Sequence, residues 1–166
     1  MKKRYIYLIF TVSMSYSQIS WHSGNLKDLN DMTFVLNIKG VDDGVWEKRL
    51  LSFIELRLLE HNIRFTDDQM PKMVVDINTI DSRVEKVSSF LVIFSIYNYS
   101  ISESDYYNSM ADTVITKNLM TSKVFSKEIM GQTSSQNLYR DIEKGINSLV
   151  SIYLEQWYID NPMKQF

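Results

Sequence analysis

Two pairs of adjacent aspartates stand between the predicted elements of this chain. They are Asp42–Asp43 and Asp67–Asp68. Two close carboxylates could coordinate a cation, or could act as the general acid and base of a glycosidase. Aspartate is also favoured in turns and at helix starts, because its side chain accepts hydrogen bonds from nearby backbone N–H groups. We expect turn and cap roles for both pairs.

Metal ligands are scarce in the sequence, which has two histidines and no cysteine. His22 lies among turn-forming residues. His61 ends a predicted helix, where a positive imidazolium would interact favourably with the negative end of the helix dipole. A zinc site needs three or four ligands at readable spacing, and none is found. The stretch from Asp76 to Asp81 lacks the central glycine and terminal glutamate of a calcium loop. We predict no metal and no cofactor.

Motifs for nucleophilic catalysis and for phosphate binding are missing. The chain has five glycines, and they form neither a dinucleotide fingerprint, a P-loop nor a nucleophile elbow. Four tyrosines could form a shallow site for a sugar or a peptide, although tyrosine is common at strand ends. They are Tyr97, Tyr99, Tyr106 and Tyr107. We therefore predict that the protein is not an enzyme.

The charges are balanced and mixed along the chain. Eighteen Lys and Arg residues face twenty Asp and Glu residues, for a formal net charge of −2. A nucleic-acid-binding protein would show a basic stripe or patch. The basic cluster at residues 2–4 is part of a predicted export signal and is not counted as such a patch. We predict that nucleic acid is not a partner.

The amino-terminal residues have the three-part pattern of a secretory signal peptide. Basic residues 2–4 precede an apolar run over 5–14, and small residues stand before a cut after Ser17. The run is shorter than the roughly 20 residues of a membrane-spanning helix, although its retention as an anchor stays an alternative. Without cysteine the chain cannot be a lipoprotein. We predict a periplasmic or extracellular protein of a Gram-negative bacterium, not transmembrane once the signal is removed.

The remaining 149 residues can bury one core without disulfides. The chain has no low-complexity linker and no internal repeat. We predict a signal peptide over 1–17, a loose amino-terminal segment over 18–32, a single domain over 33–160 and a tail over 161–166.

Residues 88–101 are the strongest strand candidate, because they are β-branched and aromatic and are apolar on both faces at first. This pattern predicts an interior strand. Residues 72–80 should pair with it antiparallel through a turn over 81–86. Residues 33–39 form a half-buried strand, and 113–129 an edge strand that ends before a break at 131–135. Residues 62–65 are a candidate for a short connecting strand.

Two stretches have the period of amphipathic helices, 45–61 and 136–159. In the first, an apolar face is formed by Trp46, Leu50, Leu51, Phe53, Ile54 and Leu58. The predicted class is α+β, with two helices packed on one face of a mostly antiparallel four-stranded sheet. Its order is β-α-β-β-β-α.

The export signal followed by one β-α-β-β-β-α domain resembles the small accessory modules of the bacterial envelope typified by the amino-terminal domain of TolB and by LptE. The likeness is one of element order over residues 33–159, without a diagnostic motif. It implies an accessory role in which other envelope proteins are bound and no reaction is catalysed.

Leu56 and Leu59 lie on the side of the first predicted helix opposite its apolar face, about 60° apart. We predict that they are part of a partner-facing surface; the alternative is that Trp21 or the tail, with Met163 and Phe166, folds over them. The predicted function is an exported interaction module that binds other envelope proteins, in an unknown oligomeric state. A small carrier of an apolar ligand and a hydrolase with a carboxylate site are the alternatives.

Overall fold

A computed structural model describes residues 24–67, 70–82, 86–108 and 119–165. The elements in these ranges are β1 (Asp31–Lys39), α1 (Gly44–Leu59), β2 (Arg64–Phe65), β3 (Lys72–Ser82), β4 (Val87–Ser100), α2 (Glu103–Asn108), β5 (Met120–Ser134) and α3 (Leu138–Asp160), followed by a 3-10 turn over Pro162–Gln165. The α+β class is confirmed, with α1 and α3 as its two long helices.

The sheet is mixed, and in the described ranges it has five strands in the order β2-β1-β3-β4-β5. β3 pairs antiparallel with β4, as predicted, and β4 pairs antiparallel with β5. The predicted four-stranded, mostly antiparallel sheet differs, because β1 runs parallel to both β2 and β3. Helix α1 returns the chain to the start of β1, so β2 and then β3 run in the same direction as β1.

The core lies on the face of the sheet where β3 and β4 place their alternate apolar residues. The facing pairs Met73–Ile96 and Val75–Phe94 are completely buried. Helix α3 covers this face, with the Tyr153 ring centroid 5.4 Å from that of Phe94. The Tyr153 hydroxyl has no hydrogen-bond partner among the described residues, and burial raises the pKa of this phenol. Burial of each apolar side chain in this core, such as Met73 or Phe94, stabilises the fold by about 1.5–3 kcal/mol relative to exposure to water.

Helix α1 buries a narrower stripe than the sequence predicts. The buried residues follow one another at intervals of four, which places them on one slowly winding line along the helix. They are Trp46, Leu50, Ile54 and Leu58. Leu51 and Phe53, predicted to face the core, are exposed beside this line. The predicted apolar face is therefore too broad, because Leu51 and Phe53 at its two margins are exposed.

The two long helices lie side by side and run in the same direction. Near their amino ends, the Trp46 ring lies 4.7 Å from that of Tyr139, and its indole N–H donates to Glu143 at 2.9 Å. Near their carboxyl ends, His61 Nδ1 lies 2.6 Å from the Tyr158 hydroxyl oxygen. Polar contacts therefore fix the helix pair at both ends.

Strand β5 continues through the glycine at which a break was predicted. Gly131 lies opposite Phe90, and a Cβ on this residue would come within 2.5 Å of the Phe90 ring. The glycine makes room for that ring and does not end the strand. β5 is an edge strand, as predicted, although residues 113–118 lie outside the described ranges. The short helix α2 follows β4.

Residues 24–30 are anchored to the end of α3, whereas the sequence predicts a loose segment there. The Asp160 carboxylate accepts hydrogen bonds from the backbone N–H groups of Gly24 and Leu26, both at 2.9 Å. The indole N–H of Trp157 donates to the Leu29 carbonyl at 2.9 Å, and Leu26 and Leu29 are buried. These apolar side chains complete the core, which explains why the segment is held. Residues 18–23 lie outside the described ranges.

We predict that Asp160→Ala lowers the free energy of unfolding by about 2–4 kcal/mol, because two backbone N–H groups lose a charged acceptor. Urea unfolding of the purified protein measures this loss. Glu155→Ala, an exposed change on the same helix, is the control and should stay within about 0.5 kcal/mol. A loss below about 1 kcal/mol for Asp160→Ala would show that the anchor contributes little.

Candidate functional site

The outer face of α1, defined here as Val45, Ser52, Leu56 and Leu59, points away from the sheet. Leu56 is 63% exposed, Leu59 is 49% exposed and Val45 is 81% exposed. At about 100° per residue, these positions lie opposite the stripe that α1 buries. The helix therefore presents apolar side chains on the side that it does not pack against its own core.

Charged residues border the outer face of α1. Lys48, Arg49, Glu55 and Glu60 are exposed. Met163, one of the residues proposed to cover the two leucines, is itself exposed. Trp21 and Phe166 lie outside the described ranges. An apolar centre with a charged border has the composition of a protein interface.

A second feature is a pocket of about 670 Å³ at the carboxyl end of β1. It lies between the last residues of β1, the loop that follows and the first turn of α1. The pocket is lined by Leu36, Asn37, Ile38, Lys39, Val41, Asp42, Asp43, Gly44, Trp46, Glu47 and Asp76. Four of these residues carry carboxylates and one carries an ammonium group.

Gly40 lies in the turn that follows β1, between the pocket-lining residues Lys39 and Val41. Its φ of +88° lies in the left-handed region, and a Cβ there would overlap the carbonyl oxygen of Thr79. The Thr79 hydroxyl donates to the carbonyl oxygen of Lys39 at 3.1 Å. The end of β1 is thus held against β3 while the chain turns toward α1, and only glycine fits this turn.

The first aspartate pair has the cap role that the sequence predicts. Asp43 Oδ1 accepts hydrogen bonds from the backbone N–H groups of Val45 and Trp46 at 3.1 and 3.0 Å. Asp42 is exposed and lines the pocket. Asp67 is exposed, and Asp68 lies outside the described ranges. The described residues therefore do not place the two aspartate pairs in one site.

The remaining candidate residues are dispersed. Among the described residues, no group of three or more His, Asp or Glu side chains could hold a metal ion. His61 contacts Tyr158, and His22 lies outside the described ranges. Asp76 lies on β3 as part of a regular strand, where it accepts a hydrogen bond from Asn37 at 2.8 Å.

The four tyrosines do not form a common site that the structure describes. Tyr97 and Tyr99 end β4, and the Lys123 ammonium lies 5.7 Å from the Tyr97 ring centroid. Tyr107 is exposed on α2, and the side chain of Tyr106 lies outside the described part of the structure. A cation over one ring is a surface contact and does not distinguish a sugar from a peptide.

A small pocket lies between α1 and α3, lined by Arg49, Leu50, Phe53 and Glu143. Its volume is about 170 Å³, below the roughly 300–1,000 Å³ of most ligand sites. The ion pair of Arg49 with Glu143 borders it. This pocket does not match the large apolar cavity that a carrier of apolar ligands requires.

Comparison with known proteins adds no relative. No protein-family model matches this chain, and no curated protein or solved structure is significantly similar to it. None of the helices in the described ranges is long and apolar enough to cross a membrane.

We predict that Gly40→Ala costs more stability than Gly24→Ala. Both glycines have a φ near +90°, but Gly24 has open space where a Cβ would lie, whereas Gly40 meets Thr79. Gly24→Ala should cost about 1–2 kcal/mol from backbone conformation alone. Gly40→Ala should cost at least about 1 kcal/mol more. Thermal unfolding of both variants tests this, and equal losses would contradict the close packing of β1 on Thr79.

Proposed function

We propose that the protein is an exported, non-catalytic interaction module of a larger assembly in the envelope of a Gram-negative bacterium. Other envelope proteins are its partners, and it is not transmembrane once the signal is removed. The observation that carries the proposal is the exposed apolar outer face of α1.

The solvent exposure of Leu56 and Leu59 supports an interface for a physical reason. A single exposed leucine is common on protein surfaces and needs no explanation. Here two leucines and a valine lie on one side of one helix, bordered by Lys48 and Glu55. A partner that covered Leu56 and Leu59 would remove apolar area from water without displacing part of the described core.

Export is the part of the proposal that the amino-terminal sequence supports. The basic, apolar and small-residue parts lie within residues 1–17, outside the described ranges. Cleavage after Ser17 would leave Gln18 as the first residue of the mature chain.

We predict that the exported protein begins within about two residues of Gln18, because signal peptidases cut after small residues that follow an apolar run. Intact-mass measurement of the protein released from the periplasm or the medium checks this. A chain that keeps residues 1–17 and sediments with membranes would make it an anchored protein instead.

We predict that Leu56→Ser combined with Leu59→Ser abolishes partner binding and leaves the fold intact. The free energy of unfolding should change by less than about 0.5 kcal/mol per site, since both side chains already face water. Affinity capture from native membranes, with mass spectrometry of the co-purified proteins, measures partner binding.

Ile159→Ser is the matched control, because Ile159 is 61% exposed on the other long helix. This variant should capture the same proteins as the unaltered chain. Unchanged capture by the double leucine variant would contradict the interface. A loss of about 2 kcal/mol or more per site would show that another segment buries the leucines.

A further inference from the structure

The outer edge of β1 is unpaired over most of its length in the described structure. β2 pairs only with Asp31 and Met32, although β1 continues to Lys39. The edge becomes free just beyond the point where the rings of Phe34 and Phe65 stack at 4.7 Å. The strand that closes this side of the sheet is therefore much shorter than its neighbour.

Hydrogen bonds at the start of β1 show which backbone groups face this edge. The carbonyl oxygens of Asn30 and Met32 accept from the β2 side, whereas the N–H of Thr33 donates toward β3, to Pro71. Backbone direction alternates along a strand. The N–H and C=O groups of Phe34, Leu36 and Ile38 consequently point outward, where no described strand pairs with them.

The pocket of about 670 Å³ is lined by two of these edge residues, Leu36 and Ile38. Lys39 and the α1 residues Trp46 and Glu47 line it as well. From Leu36 to Lys39 the strand advances about 10 Å, enough to pair with about four residues of an extended chain. Unpaired strand groups beside a helix form the kind of groove that binds peptides by strand addition.

The charge of the groove selects among extended peptides. Asp42, Asp43, Glu47 and Asp76 line it against Lys39, a net of three negative charges. The amino end of α1 contributes only about half a positive charge, and Asp43 already caps it. A cationic peptide is therefore attracted to the groove and an anionic one is repelled.

We propose that the free edge of β1 binds an extended, lysine- or arginine-containing peptide segment as an added strand in this groove. The site includes neither Leu56 nor Leu59, so this inference goes beyond the proposed function and does not depend on it. Backbone hydrogen bonds to Leu36 and Ile38 hold the segment, and the carboxylates select its charge.

The probe for this site is a short, capped, fluorescently labelled peptide of alternating lysine and valine. Because the repeat can shift by one residue, lysine can face either side of the sheet. We expect saturable binding to the full chain by fluorescence anisotropy, and at least about tenfold weaker binding of the same peptide with glutamate in place of lysine.

A further peptide tests strand addition by carrying an N-methyl group on every amide. It should bind about tenfold more weakly or worse, because methylation removes every N–H group that could pair with β1, in whichever register the peptide lies, while keeping the charge. If it keeps its affinity, the peptide binds by charge alone and the proposal is wrong.

Protein variants locate the site. Asp42→Lys combined with Glu47→Lys should weaken binding at least about tenfold, whereas Glu55→Lys combined with Glu155→Lys, an equal charge change outside the groove, should alter it by less than about threefold. The Leu56→Ser and Leu59→Ser variant should bind the peptide normally. Equal losses in both charge variants, or a concentration-dependent dimer that blocks the peptide, would overturn the assignment.

Discussion

The burial of one face of the β3–β4 hairpin is the constraint on which the rest of the structure depends. Met73, Val75 and Ile77 and their partners on β4 are completely buried, so helices must cover that face of the sheet. α1 and α3 do so by lying side by side in the same direction, with Trp46 and His61 fixing the two ends of the contact. Because both helices pack on one face, the outer side of α1 is exposed, and no strand in the described ranges pairs with the far edge of β1 beyond Met32. The two candidate surfaces follow from this arrangement.

The elements that the sequence predicts well are those in which side-chain period and burial agree. The short polar turn over 81–86 predicts that the strands on either side of it pair antiparallel, and the structure confirms it for β3 and β4. The prediction that β5 ends before Gly131 was wrong, because this glycine is needed for its small size. The Phe90 ring that occupies the space of a Cβ belongs to another strand, so the sequence around Gly131 does not reveal it. β2 has two residues, too few to show any period, so its parallel pairing with β1 depends on where α1 delivers the chain. The held segment at 24–30 has the composition of a loop, and its acceptors lie more than a hundred residues away.

The two candidate surfaces differ in how far the sequence could predict them. The exposure of Leu56 and Leu59 follows from helical geometry alone, since a helix that buries Leu50, Ile54 and Leu58 must turn those two outward. The groove beside β1 could not be predicted in this way. Its main feature is the direction of backbone N–H and C=O groups, which is independent of residue type and is set by which strands pair. The only sequence signal was the acidic turn after Gly40, and that turn has an ordinary role as a helix cap.

The anchoring of residues 24–30 by Asp160 and Trp157 also determines the order in which the chain can fold. The hydrogen bond from Leu26 to Asp160 joins residues 134 positions apart, and closing a loop of that length costs roughly 4 kcal/mol of entropy. The Tyr153 and Trp157 rings that complete the core arrive with the last helix. Synthesis proceeds from the amino end, so the core stays open until α3 has left the ribosome. If the protein is exported as proposed, this late closure keeps it unfolded, and so able to pass through a narrow pore, for as long as it is being made.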